Sequence, residues 1–304
     1  MGKILSVREM RAALPRLGFG LMLDRAEVFG RDKLSALKVV TVNEELFNGH
    51  FPEHPILPGV LQIEMMKQLS ELSARPELAQ SAEDDIYIAK LEKVKFRRPV
   101  TPGDRLRIDS ELIEETADSR RYRAKVRLGA DTASEAFLTL KSRRIAPPTV
   151  MPPEVMQFDK SAGMVYDTLA MKKLMPHRYP FLFIDYIAKQ EGDKIVAVKN
   201  VSANDSFFRS APDNAAVPES LLCEMGAQAG CACVLSRPEN AGKLGFFMAI
   251  DSAESLAPII PGDQMEIHVD LPPSKGRFGK GSGEAIVCGE VRFRITLMFA
   301  IVDP

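Results

Sequence analysis

Apolar and polar positions alternate along several stretches of this chain. They include KLSALKVVTV at 33–42, RLRIDSELI at 105–113, RYRAKVRLG at 121–129, KIVAVKNVSA at 194–203 and VRFRITLMFAIV at 291–302. A period of two with many β-branched residues predicts antiparallel strands with one apolar face. Two segments break this rule. From Gly59 to about Ala74, residues Val60, Leu61, Ile63, Met65, Leu69 and Leu72 surround the axis of a helix with apolar side chains, and such a helix must be buried. From Glu219 to about Leu235 a second helix carries the small residues GAQAGCAC, which let neighbouring chain approach closely. Each half of the chain therefore reads as one buried helix and several strands.

The halves are also related in sequence. LPRLGFGLMLDRAEVF at 14–29 resembles LMPHRYPFLFIDYIAK at 174–189, with Pro15 and Asp24 answered by Pro176 and Asp185. Asn43 is answered by Asn204, Pro58 and Glu64 by Pro218 and Glu224, and TPGDRLRID by IPGDQMEIH. A repeat of this length is a structural unit duplicated in tandem. The expected domains are 1–146 and 165–304, joined over 147–164 by a segment whose prolines suit a surface linker.

Composition narrows the functional classes. The 304 residues are 45% hydrophobic, enough for a core in each half, and 40 Lys and Arg against 41 Asp and Glu leave a net charge of −1. No global attraction to nucleic acid or an anionic membrane follows from that balance. No apolar run reaches the length of a membrane span, and MGKILSVREMRA lacks a secretory core, so the expected location is the cytoplasm. The cysteines, Cys223, Cys231, Cys233 and Cys288, have no histidine partners at ligand spacing and read as buried thiols; no metal site is expected. No phosphate-cradling glycine loop is present, and no cofactor is expected.

The segment FNGHFPEHPILPGVLQIEMMKQ, residues 47–68, resembles the signature of the β-hydroxyacyl-acyl carrier protein dehydratases. LMPHRYPFLFID, KLEKVKFRRPVTPGD and LGFFMAIDSAESLAPIIPGD resemble other segments of that family. The resemblance implies an α+β hot dog fold, a long helix wrapped by an antiparallel sheet, here doubled into an intramolecular pseudo-dimer. It also implies dehydration of 3-hydroxyacyl thioesters in fatty acid, polyene or polyketide synthesis, with an acyl carrier protein as partner. The chain could act as a monomer or in a higher homo-oligomer.

The chemistry of that reaction needs a base, an acid and dipoles that hold charge on the thioester oxygen. His50, with an ordinary pKa near 6.5, suits the base. A helix carboxyl raised by burial suits the acid. The amides of Gly59 and Val60 at the helix start suit the oxyanion, with Gly59 admitting close approach of the thioester. In the family the histidine and the carboxylate of one site come from different hot dogs. The second repeat has Ser210 or Ala211 in place of the histidine and Glu219 in place of the helix-start glycine, yet keeps Glu224. The resemblance thus implies one complete site, His50 and Gly59 with Glu224, while Glu64 belongs to a degenerate second one. Lys93, Lys95 and Arg97, on one face by strand alternation, are a candidate docking patch for an acidic carrier. His54 is read as a loop residue, His177 as a residue that shapes the fold, and His268 as an exposed strand residue. Two other readings are a hot dog thioesterase, which activates water with the same carboxylate, and a non-catalytic carrier-binding subunit, suggested by the erosion of the second repeat.

Overall fold

The computed structural model describes residues 2–146, 163–212, 214–240, 242–272 and 277–302. Of the expected linker at 147–164, residues 147–162 lie outside the described residues. Repeat 1 runs β1 (Lys3–Leu5), α1 (Val7–Ala13), β2 (Arg25–Val28), β3 (Lys33–Val39), α2 (Gly59–Leu78), β4 (Asp85–Phe96), β5 (Arg105–Glu115), β6 (Ser119–Leu128) and β7 (Asp131–Arg143). Repeat 2 runs α3 (Thr168–Leu174), β8 (Tyr186–Glu191), β9 (Lys194–Asn200), α4 (Glu219–Leu235), β10 (Leu244–Ser255), β11 (Gln264–Asp270), β12 (Phe278–Val287) and β13 (Glu290–Val302).

All the strands form one sheet, in the order β1-β2-β3-β5-β6-β7-β4-β10-β13-β12-β11-β9-β8. Read outward from the middle, β4-β7-β6-β5-β3-β2 mirrors β10-β13-β12-β11-β9-β8, and β4 pairs antiparallel with β10 across the join. This is the double hot dog expected from the tandem repeat. Alternation places the apolar face of each strand inward, as in β11, where Met265, Ile267 and Val269 are buried between partly exposed neighbours. Helices α2 and α4 fill the hollow and touch each other. Met65, Met66 and Met225 are fully buried, and one core runs through both repeats.

Helix α2 runs one turn beyond Ala74, through Pro76. The Ala79 amide donates to the Arg75 carbonyl, closing the added turn, and Arg75 pairs with Glu71 one turn back. The cysteines are all free, but they are not all buried: Cys288 is exposed at the β12–β13 turn, with φ +51°, because a tight turn points outward whatever residue it carries. Among the described residues, no helix is long and apolar enough to cross a membrane.

Candidate active site

His50 is held by its own loop. A short 3-10 turn at Glu45–Asn48 ends there, the His50 amide donates to Leu46 O (2.9 Å), and the Ile56 amide donates back to His50 O (3.1 Å). Its Nδ1 lies 2.8 Å from the Ile56 carbonyl. A carbonyl only accepts, so Nδ1 carries the proton and Nε2 keeps the lone pair. Gly49 just before it must be glycine, because a Cβ there would lie 2.3 Å from Arg178 O. That contact, with the Arg178 amide donating to Gly49 O (3.0 Å), seats the PHRYP segment of repeat 2 on the histidine loop of repeat 1.

His177 of that segment therefore enters the site. Its ring lies edge-on to His50, centroids 5.6 Å apart, and Nε2 is 3.4 Å from Glu224 Oε1 on α4. The reading of His177 as a fold-shaping residue is thus incomplete: repeat 2 supplies a second imidazole. His50, His177 and Glu224 each bring one atom within 4.8 Å of the others. Gln228, one turn after Glu224, donates Nε2 to Glu224 Oε1 (2.9 Å) and to Phe181 O (2.8 Å), while its Oε1 accepts from the Phe183 amide. The same arrangement recurs in repeat 1, where Gln68 bonds Glu64, Gly20 O and the Met22 amide. The Glu-x-x-x-Gln spacing, present in both helices, is the signal by which the two glutamines were findable.

These groups stand at the head of a cavity of about 360 Å³ that runs between the repeats. Gly59, Phe96, Phe247, Cys231, Leu235 and Phe299 are among its walls, with Arg97 and Arg98 also lining it. Burial pushes the Cys231 thiol up to about 12, so it serves as an inert wall. Gly59 begins α2, whose first amides have no carbonyl four residues back within the helix. A Cβ at Gly59 would lie 2.6 Å from the Phe96 ring, so glycine is required here by an aromatic neighbour as well as by any ligand. Val60 is fully buried behind it and has no wall of its own in the cavity.

The electrostatics depart from expectation in one respect. Burial raises the Glu224 carboxyl, but the hydrogen bond and charge of His177, the nearby His50 and the Gln228 amide outweigh it, and the net pKa falls below the ordinary value. The carboxyl expected to be held protonated is therefore ionised, because apolar helix neighbours count for less than three polar groups close by. Burial pulls His50 down to about 4, with Glu224 opposing. At neutral pH the pair is a neutral imidazole and a carboxylate.

The second carboxylate sits differently. Ser210 packs against Gly20 as Gly49 packs against Phe181, which makes Ala211 the counterpart of His50. Arg16, counterpart of His177, turns to Asn214, donating to its O (2.9 Å) and Oδ1 (3.0 Å). Glu64 accepts from Ser220 Oγ (3.2 Å) and Gln68 Nε2 (3.2 Å). The space beyond is filled with charge. Counted from the first residue of each helix, the positions of Gly59, Ala227, Cys231 and Leu235, which line the cavity, are taken by Glu219, Lys67, Glu71 and Arg75. Glu71 binds Lys67 (2.6 Å) and Arg75 (2.9 Å), and Glu219 accepts from Arg143 (2.9 Å) and the Ile88 amide (3.2 Å). Arg143 also holds Asp85 at 2.8 Å. A buried ionic ladder thus replaces the apolar walls of the first cavity.

The remaining expected residues lie apart. His54 is exposed in the loop, and His268, 2.8 Å from Glu266, is partly exposed on β11. Lys93, Lys95 and Arg97 are exposed, but they do not share one strand face by simple alternation. The β4–β7 register shifts between Glu92 and Lys95, Lys93 takes φ +53°, and Arg97 lies one residue past the strand. Arg97 is engaged by Glu135 and Arg98 by Asp131.

Comparison with known proteins agrees with this architecture. Residues 28–135 match the ApeI-like family, described as ApeI dehydratase, and residues 175–295 match the FabA-like domain. The 3-hydroxyacyl-(acyl-carrier-protein) dehydratase FabZ of Oceanobacillus iheyensis is 42% identical over 137 residues, which is 98% of that protein and 44% of this chain. FabZ of Bacillus thuringiensis is 43% identical over 135 residues, 94% of that protein and 44% of this chain. Among solved structures, the dehydratase domain of RzxB from Pseudomonas fluorescens covers 91% of this chain and 98% of its own, with TM-score 0.61 and 16% identity. A tesB protein of Mycobacterium avium covers 98% and 100%, with TM-score 0.57 and 12% identity. At such identities these two report the double fold and not its chemistry. The FabZ match, carried by sequence over almost the whole length of the relatives, goes further: the chain belongs to the hot dog dehydratase family of FabZ, in a tandem double hot dog form.

Proposed function

We propose that this chain dehydrates 3-hydroxyacyl thioesters carried on acyl carrier protein to trans-2-enoyl thioesters, in the cytoplasm, in fatty acid, polyene or polyketide synthesis. One observation carries the reading: His50 from repeat 1 and Glu224 from repeat 2 meet at the head of an apolar cavity that begins at the amino end of α2. A single chain supplies both halves of the site, so no second copy is needed for turnover. The two hot dogs, 1–146 and 165–304, divide the labour: the first gives the base and the Gly59 amide, the second gives the carboxylate.

In the first step His50 Nε2 removes the α-proton, and the C–H electrons move onto the thioester oxygen. The amide of Gly59, with the dipole of α2 behind it, holds that charge. The ionised Glu224 stabilises the imidazolium that forms. In the second step the enolate collapses to the new double bond, the β C–O bond breaks, and the hydroxyl leaves as water with a proton delivered by the His50–Glu224 pair. One proton is taken up and one is given back, so the site returns to its starting state. Glu224 in this scheme passes on a proton received during turnover instead of one stored beforehand.

The purified chain, given 3-hydroxyacyl and trans-2-enoyl thioesters of several lengths, is expected to equilibrate the two from either side without releasing thiol. Free thiol would replace the reading with hydrolysis, and failure to equilibrate any of them would replace it with a non-catalytic role. The substituted pair Lys93→Glu and Lys95→Glu should raise KM for the carrier-bound substrate roughly tenfold at low salt and leave a pantetheine thioester unaffected. Equal effects on the two substrates would rule out electrostatic docking there.

The rate also carries a pH signature. With the His50 pKa lowered to about 4, the base stays neutral through pH 6.5, and kcat/KM should keep its plateau well below the ordinary histidine value before its acid limb. Stability follows the same group. Its folded pKa lies below the unfolded one, so its contribution is complete above pH 6.5 and is lost as pH falls toward 4. An acid limb centred near pH 6.5 would show that another group, or an unburied His50, is the base.

A further inference from the structure

The same three side chains that meet at the cavity head have the composition of a metal site. His177 Nε2 and Glu224 Oε1 are 3.4 Å apart. Two corners of a tetrahedron are separated by about 3.3 Å when each lies about 2.05 Å from its centre, the bond length of zinc to imidazole or carboxylate. His50 brings its ligand atom within 4.8 Å of the others, so a shift of at most about 1.5 Å, within reach of side-chain rotation at the cavity wall, completes three corners.

Two of the three ligands also have their outer bonds in place. His50 donates Nδ1–H to Ile56 O, which leaves Nε2 as its donor to an ion. Gln228 fixes the carboxylate of Glu224 at 2.9 Å. His177, with 6% of its surface exposed, keeps Nδ1 buried without a hydrogen-bond partner, so its ring is held only on the Glu224 side and lacks the outer bond that the other two ligands have. The fourth position faces the cavity that all three residues line. Two imidazoles and a carboxylate with one open position is the donor set of catalytic-type zinc sites.

We propose that His50, His177 and Glu224 form a binding site for a zinc-class divalent cation, which when filled takes the His50 lone pair and blocks the thioester from the cavity head. Binding follows from the donor geometry alone; the block on turnover rests on the dehydratase reading. The metal is thus an inhibitor of this site, competing with the substrate for one position.

The test is calorimetric titration of the chelator-washed, full-length chain with zinc chloride at neutral pH. One saturable site per chain is expected, weakened at least tenfold in His177→Gln and in Glu224→Gln and unchanged in His268→Gln, which removes the His268–Glu266 surface pair. Cobalt(II) provides a second readout that needs no variant: the wild-type chain should show the visible absorption of a tetrahedral ion, and an unreactive acyl-pantetheine analogue should abolish it. Absence of saturable zinc binding in the wild-type chain overturns the proposal. So does binding that survives both cluster substitutions, or cobalt absorption indifferent to the analogue. Heat and absorbance are measured without turnover, so a chain that binds zinc but does not dehydrate sinks the functional reading alone, and a dehydratase that ignores zinc sinks this one alone.

Discussion

Glu224→Gln should lower turnover by about 10² to 10⁴, the range for losing a group that exchanges a proton with the reacting atoms, while Glu64→Gln should change it by no more than about twofold. The two carboxylates occupy the same helical position, and each accepts from a glutamine one turn on. Their surroundings separate them. Glu224 faces two imidazoles and an apolar cavity, whereas Glu64 accepts from Ser220 in a half where Ala211 stands for the histidine. The space beyond Glu64 is filled by the side chains of Lys67, Glu71 and Arg75. The amide keeps the shape of the acid but can neither stabilise an imidazolium by charge nor relay its proton. His50→Ala should cost a similar factor, and the double variant little more than either single one, because the two act as a unit. Variants of matched melting temperature, assayed for dehydration and for the reverse hydration, decide this. Activity abolished by Glu64→Gln and intact in Glu224→Gln would place the site wholly in the first hot dog.

Arg143→Met should destabilise the fold by about 3–5 kcal/mol, the cost of breaking a buried ion pair and leaving its partner without a counter-charge. Arg143 lies on β7 of repeat 1 and holds Asp85 of its own repeat and Glu219 at the start of α4, with side chains 13%, 15% and 6% exposed. Burial already raises the Glu219 carboxyl above its ordinary pKa although Arg143 pulls it down, so removing the guanidinium should drive it to hold a proton. A raised folded pKa gives a definite pH dependence. The variant should approach wild-type stability below the unfolded carboxyl range and lose ground as pH rises through it, which denaturant titrations at two pH values would reveal. Adding Glu219→Gln should recover a large part of the loss at neutral pH, since an amide needs no counter-ion. A single variant as stable as wild type at neutral pH would mean that the ladder is not needed to seal the second cavity.

Both predictions turn on which features were legible before folding. The tandem repeat, the two buried helices and the strand faces could be read from periodicity, because a two-residue and a 3.6-residue repeat each leave a mark on neighbouring positions. Matched offsets between the halves placed Glu64 and Glu224 at equivalent points, and the absence of a histidine near residue 210 marked the halves as unequal. The chain alone thus established a double fold, a loop histidine and a paired set of helix carboxylates.

Other features exist only because distant segments meet. His177 is read from the sequence as a residue that shapes the fold, and nothing local to PHRYP shows that Gly49, 128 positions earlier, admits the backbone of that segment and that the ring lies beside Glu224. Lys67, Glu71 and Arg75 stand four residues apart along α2, but their burial depends on strands such as β4 and β7 that pack on that helix. The ionisation of Glu224 departs from the sequence expectation for the same reason. Sequence neighbours on the helix are apolar and argue for a protonated acid, whereas the pKa is set by groups within a few ångströms in space, and these arrive from the PHRYP segment, the His50 loop and the next helical turn. Periodicity reports what one element buries; charge and proton state are properties of the assembled site, since Coulomb and hydrogen-bond energies depend on distance through space and not along the chain.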